Sequence, residues 1–188
     1  MRTASTRRTS RTAPAVRDLV VCAREGDREA FALLVAAERD RLVATARALT
    51  ADHHLGEDCA QEAFVLAFRR LDDLREPERF RPWLARILIR VAHRARRTAR
   101  ERPERLVEPV GSEATSVEDD EEVRVALERL RERDRTLLVL RYLDDLSYAE
   151  IGSALGIDTK KVKSRLHEAR VRLRRVIEGL RAAPEEGS

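Results

Sequence analysis

A chain of 188 residues with 43% apolar, 38% charged and only 4% aromatic side chains has room for one domain or two small ones. Glycine and proline are scarce, β-branched runs are missing, and Arg, Ala, Leu and Glu dominate, so helix is favoured over strand at almost every window. No apolar stretch approaches the ~20 residues that cross a bilayer, which excludes membrane insertion and predicts a cytoplasmic protein. With a net charge of only +4, where each sign collects matters more than the total.

Met1 to Pro14 is rich in Arg, Ser and Thr and carries no acid; it reads as a disordered basic tail, residues 1–14. Val16 to Glu25 predicts a short helix, which Gly26 and Asp27 break and recap. From Arg28 to about Leu49 a longer helix is expected, with Ala30, Phe31, Leu34, Ala37, Leu42, Val43, Ala46 and Leu49 as its apolar face. Thr50 to His54 is the next break. Gly56 to Leu71, GEDCAQEAFVLAFRRL, predicts a helix opening on Glu57 and Asp58 at the positive end of the dipole and burying Cys59, Ala63, Leu66 and Phe68. Asp58, Gln61, Glu62 and Val65 then share an acidic and amide-bearing outward strip with Phe64 beside it, either a solvated face or a docking surface for a basic partner. Cys22 and Cys59 lack CxxC spacing and are expected as buried thiols. His53, His54 and Cys59, with Glu57 and Asp58, resemble a ligand cluster, but adjacent helical histidines point about 100° apart, so no metal and no cofactor is predicted.

Asp72 to Arg79 is polar and should be a loop, followed by a helix opening on Phe80, Arg81, Pro82 and Trp83. Leu84, Ile87, Leu88, Val91 and Ala95 line its buried side, and Arg81, Arg86, Arg90, His93, Arg94, Arg96, Arg97 and Arg100 make it the most cationic helix of the chain. Trp83 can be a core residue or a stacking platform, with core as the expectation. From Glu101 to Glu122 the periodicity stops, prolines appear and acids outnumber bases, which predicts a flexible acidic linker, residues 101–121. It separates a first domain, residues 15–100, from a second, residues 122–180, before a frayed tail, 181–188.

In the second domain, helices are expected from Glu122 through Leu130 and from Asp134 to Tyr142, with Leu137, Leu138, Leu140 and Tyr142 closing a small core. Ser147 to Arg170 then has the spacing of two short helices crossing at a tight turn. Ser147 and Glu150 form a capping box with Leu146 and Ile151 as the staple; Gly156 ends the first helix and Asp158 caps the second. Val162, Leu166, Ala169, Leu173 and Val176 recur at helical spacing, leaving Lys160, Lys163, Ser164, His167 and Arg170 among those facing outward. A helix-turn-helix places such a face in the major groove, where Lys, Ser and Arg reach base edges and phosphates; an ordinary helical hairpin with a solvated face is the alternative.

EDCAQEAFVLAFRRL followed by FRPWLARILIRVAHR resembles the second region of extracytoplasmic-function sigma factors of bacterial RNA polymerase. LRERDRTLLVLRYLDDLSYAEIGSALGIDTKKVKSRLHEARVRLRR resembles their fourth region, so the likeness runs from Gly26 to Arg175. The resemblance implies an all-α fold of two small helical domains and a transcription initiation factor, not an enzyme, that carries core RNA polymerase to promoters. It gives Asp58, Gln61, Glu62 and Phe64 the docking on the clamp helices of the largest polymerase subunit. The loop before the tryptophan helix would capture an unstacked minus-10 base, with Arg79, Arg81, Arg86, Arg90 and Arg94 holding partly single-stranded DNA. Lys160, Lys161, Lys163, Ser164, Arg165 and His167 would read the double-stranded minus-35 element. Glu168 departs from the basic residue that many members carry there. An anti-sigma factor is the family's expected partner.

A two-domain DNA-binding regulator explains Ser147 to Arg170 equally well, but not the acidic strip followed by a loop and an arginine-rich helix. A helical adaptor leaves the basic recognition face without a purpose. No nucleophile–base pair, phosphate-binding glycine loop or ligand cluster supports an enzyme.

Overall fold

The computed structural model describes residues 15–101 and 118–182, and among these every regular element is helical. The first domain holds α1 (Val16–Arg24), α2 (Arg28–Thr50), α3 (His53–Arg69) and α4 (Phe80–Glu101), with two 3-10 turns at Leu71–Asp73 and Pro77–Arg79. The second holds α5 (Glu118–Arg129), α6 (Glu132–Tyr142), α7 (Tyr148–Leu155) and α8 (Thr159–Ala182). No helix of the described residues is long and apolar enough to cross a membrane.

Local chemistry sets the boundaries. The Asp27 carboxylate accepts from the N–H groups of Glu29 and Ala30 at 2.9 and 3.1 Å, satisfying donors that open α2. Ala51 takes the left-handed conformation (φ 58°) to end α2, and Asp52 accepts from the Leu55 N–H at 2.8 Å. That cap starts α3 at His53, ahead of the Gly56 expected from sequence. The expected loop from Asp72 to Arg79 is partly ordered into the two 3-10 turns. Helix α5 begins at Glu118, so the acidic run assigned to the linker is the first turn of a helix. The rest of that linker, residues 102–117, the basic tail of residues 1–14 and the last residues, 183–188, lie outside the described residues.

In the first domain, Leu34, Leu42, Ala46 and Leu49 of α2 pack against Cys59, Ala60, Ala63 and Ala67 of α3 and against Leu84, Leu88, Val91 and Ala92 of α4. Three alanines centre the buried stripe of α3 and admit its neighbours closely. Phe64 therefore turns inward at 9% exposure, while Phe68, expected in the core, lies at the margin with 49% exposed and its ring edge on Phe31, centroids 4.9 Å apart. On α2 the expected Ala37 is exposed and its neighbour Glu38 is buried instead. In the second domain Leu137, Leu138 and Leu140 close over Ile151, Val162 and Leu166, but Tyr142 is 58% exposed because it ends α6 on the outer side.

The helix pair matches its sequence signals. Ser147 and Glu150 form the reciprocal capping box (Glu150 N–H to Ser147 Oγ 3.2 Å, Ser147 N–H to Glu150 Oε2 2.8 Å). Gly156 ends α7 with φ 67°, and the Asp158 carboxylate accepts from the Lys160 N–H at 2.7 Å. At Gly152 a Cβ would stand 2.7 Å from the Ile157 carbonyl oxygen, so the close crossing requires glycine. The two domains pack on one another, α6 against α2 and α7 against α4.

Candidate nucleic-acid and polymerase interfaces

Helix α8 divides cleanly. Val162, Leu166 and Ala169 are buried, and Lys160, Lys161, Lys163, Ser164, Arg165 and His167 are all exposed on the opposite side. Such a row supplies long cationic donors for phosphate and a small hydroxyl and an imidazole for base edges. Glu168 does not stand free among them: Arg172 holds it at 2.9 Å and bridges to Asp134 at 2.9 Å. An acid at that position is thus drawn back along the helix, away from the cationic row.

Most of the arginines expected for the minus-10 strand, at the turn before α4 and along α4, are engaged. Arg79 pairs with Glu76 at 2.7 Å and Arg81 with the buried Glu38 at 3.0 Å. Arg94 pairs with Glu62. Arg86 donates to the carbonyl oxygens of Ala154, at 3.2 Å, and Ser153. Of the five expected minus-10 arginines, Arg90 alone is exposed without an ion pair or hydrogen bond among the described residues. Beside them a cavity of about 200 Å³ is lined by Leu74, Glu76, Arg79, Trp83, Arg86 and Ser153 among others. Trp83 packs against the core as expected, half-buried with its ring centroid 6.1 Å from that of Phe80, and it also lines that cavity.

On α3, Asp58, Gln61 and Val65 are exposed along one strip, as expected, and Glu62 is held by Arg94. Phe64 does not join them, because it is buried; the aromatic residue on that face is Phe68. Burial, reinforced by the charges of Glu62 and Asp58, pushes the Cys59 thiol up to about 11, while Cys22 is exposed, contrary to expectation. Potential ligand atoms of His53, His54 and Glu57 come within 4.8 Å of one another, but Glu57 is committed to Arg47 at 2.6 Å, whose hydrogen bond holds its carboxyl below the usual range. Cys59 faces the core, apart from them.

An all-helical pair of domains, one with a helix-turn-helix and one with an arginine-rich helix beside an acidic strip, defines a sigma-70-type transcription initiation protein. The family model for Sigma-70 region 2 matches residues 34–102 and that for Sigma-70, region 4 matches residues 120–173. The chain is 30% identical to the ECF RNA polymerase sigma factor SigW of Bacillus subtilis over 84% of its own length and 94% of that protein. It is 31% identical to the RNA polymerase sigma-H factor of Pseudomonas aeruginosa, covering 86% and 93%. The fold matches CnrH, solved in complex with the cytosolic domain of CnrY, with a TM-score of 0.69 at 29% identity over 88% of this chain and 99% of that one. It also matches the sigma factor RpoE of Bartonella quintana, solved with the anti-sigma factor NepR, with a TM-score of 0.67 at 24% identity over 79% and 96%. The chain belongs to the extracytoplasmic-function family of RNA polymerase sigma factors. It is a promoter-specific initiation factor and not an enzyme.

Proposed function

We propose a division of labour among three surfaces. The α8 face of Lys160, Lys161, Lys163, Ser164, Arg165 and His167 reads the minus-35 duplex from the major groove. The cavity beside Trp83 takes an unstacked minus-10 base, and Arg90, together with Arg79, Arg81, Arg86 and Arg94 once their internal partners release them, holds the strand around it. The α3 strip of Asp58, Gln61 and Glu62 docks on the clamp helices of core polymerase, with Phe68 supplying the aromatic contact. The first domain, residues 15–100, thus serves docking and melting, and the second, residues 122–180, serves minus-35 recognition. The protein works in the cytoplasm, responds to a stress or signal, and is silenced by an anti-sigma protein that covers these faces, as its structural neighbours' complexes suggest.

The observation that carries this reading is the separation of charge on exposed faces, cationic on α8 and acidic on α3. Polymerase holds the two weak DNA-reading modules at fixed spacing, so each raises the other's effective concentration. The test is transcription from pooled genomic fragments with core polymerase, with and without the protein. New starts sharing two upstream elements at fixed spacing are expected, and alanine at Lys160, Lys163 and Arg165 together should abolish them. Unchanged starts with that variant would overturn the assignment of α8.

A further inference from the structure

The turn between α6 and α7 carries a carboxylate that its own domain does not use. Asp144 is 3% exposed, and its Oδ1 accepts from the Thr45 hydroxyl at 2.7 Å and from Arg41, both on α2 of the other domain. A buried carboxylate is costly to desolvate, and with Oδ2 left without a hydrogen-bond partner the contacts of Oδ1 to Thr45 and Arg41 are what offset that cost. The pairing continues: Arg41 bridges to Glu38, itself 1% exposed, at 2.7 Å, and Glu38 holds Arg81 at the head of α4. A chain of alternating charge, Asp144, Arg41, Glu38 and Arg81, thus links the helix-turn-helix turn to the minus-10 helix.

A second set of contacts lies along α4. Arg86 donates to the carbonyl oxygens of Ser153 and Ala154 in the last turn of α7, where helix carbonyls lack intrahelical partners and a cation is favoured. Ser153 thereby forms one wall of the cavity beside Trp83. Further along, His93 Nε2 lies 3.2 Å from Glu132 and 3.3 Å from Thr136. The same interface has a cost. Arg135 is 1% exposed, its Nε and Nη1 have no hydrogen-bond partner, and burial and the like charges of Arg96 and Arg100 work against it, offset in part by Glu132 and Glu128. A buried guanidinium short of hydrogen bonds opposes closure and makes the contact reversible.

We infer that Asp144 is a latch that holds the helix-turn-helix domain closed over the minus-10 surface, in a state that leaves the α3 docking strip and the α8 face open. This rests on the division of labour proposed above. In the closed state Arg86 is spent on α7 and the cavity mouth is narrowed by Ser153, while Asp58, Gln61, Phe68 and the α8 cations remain exposed. The free protein can therefore meet polymerase, but it must open before it handles a melted strand. Opening releases Arg86 directly and takes Asp144 away from Arg41, while Arg81 keeps its pair with Glu38 inside the first domain.

Trp83 is the chain's single tryptophan and stands at the closed mouth, so its fluorescence reports the latch without a label. The experiment compares the full chain with Asp144→Asn and, from the opposite side, Arg41→Gln, by acrylamide quenching of Trp83 and by small-angle scattering, with helicity checked by circular dichroism. Breaking a buried charge pair should shift the closed-to-open ratio by about tenfold or more. Both variants should then show stronger quenching and a larger radius of gyration at unchanged helicity. Wild-type quenching and radius in two folded variants would overturn the latch, and so would a wild-type radius already that of two separated domains, whether or not a variant folds. Neither polymerase nor DNA is present, so this failure is distinct from failure of the transcription reading, which shows as absent new starts.

Discussion

Phe64 and Phe68 stand one helical turn apart on α3, and exchanging their expected roles gives a quantitative test. Phe64 is 9% exposed among Cys59, Ala60, Ala63 and Ala67, so truncation to alanine leaves a cavity in the first domain. Such a change costs about 3–5 kcal/mol, which for a chain of this size lowers Tm by about 6–20 °C. Phe68 is 49% exposed and buries about half its ring against Phe31. Half of the ~1.5–3 kcal/mol for a fully buried side chain, plus about 0.5–1 for the edge-on aromatic contact, puts Phe68→Ala at about 1.3–2.5 kcal/mol. If Phe68 is the aromatic anchor for polymerase, its loss should also weaken core binding by about 1–2 kcal/mol, a factor of about 5–30. Thermal unfolding by circular dichroism and titration of a labelled protein with core polymerase separate the two effects. A Phe64→Ala protein that melts normally but fails to bind polymerase, beside a Phe68→Ala protein that binds normally, would refute both the packing and the docking assignments.

Ser147→Ala removes half of the capping box and should destabilise the second domain by about 0.5–2 kcal/mol in urea unfolding; an unchanged midpoint would mean the cap is redundant. Lys163→Ala should reduce the salt slope of promoter binding by the polymerase complex by about one counterion, with little change of sequence preference if it meets phosphate and a relaxed preference if it meets a base. The exposed Cys22 should alkylate first, whereas Cys59, whose thiol is pushed up to about 11 by burial, stays protonated at mildly alkaline pH and reacts only as pH approaches that value or the domain unfolds. Peptide mapping after graded iodoacetamide treatment reads the order directly, and early labelling of Cys59 in the native protein would contradict it.

The local features were legible because they depend on a few neighbouring residues. Asp27, Ser147 and Asp158 announce their caps through the oxygen each offers to the next turn, and the α8 face follows from the spacing of Val162, Leu166 and Ala169 alone. The acidic strip at Asp58 and Gln61 also follows from helical spacing. The start of α3 was missed because Asp52 and the carboxylates at Glu57 and Asp58 are alike as caps in sequence, and only the backbone at Ala51 chooses between them.

Whether Phe64 or Phe68 is buried depends on where α2 and α4 cross α3, and both residues fit a helical stripe. The engagement of the α4 arginines was equally hidden, since Glu38 is 43 positions from Arg81 and Ala154 is 68 positions from Arg86. Periodicity, capping chemistry and charge in this sequence determine eight helical segments, a helix-turn-helix and the sign of each exposed face among the described residues. The partners of those charges are decided by the tertiary structure alone, because an ion pair between distant residues leaves no local pattern: each arginine carries the same charge in sequence, and only its neighbours in space determine whether it is held or free.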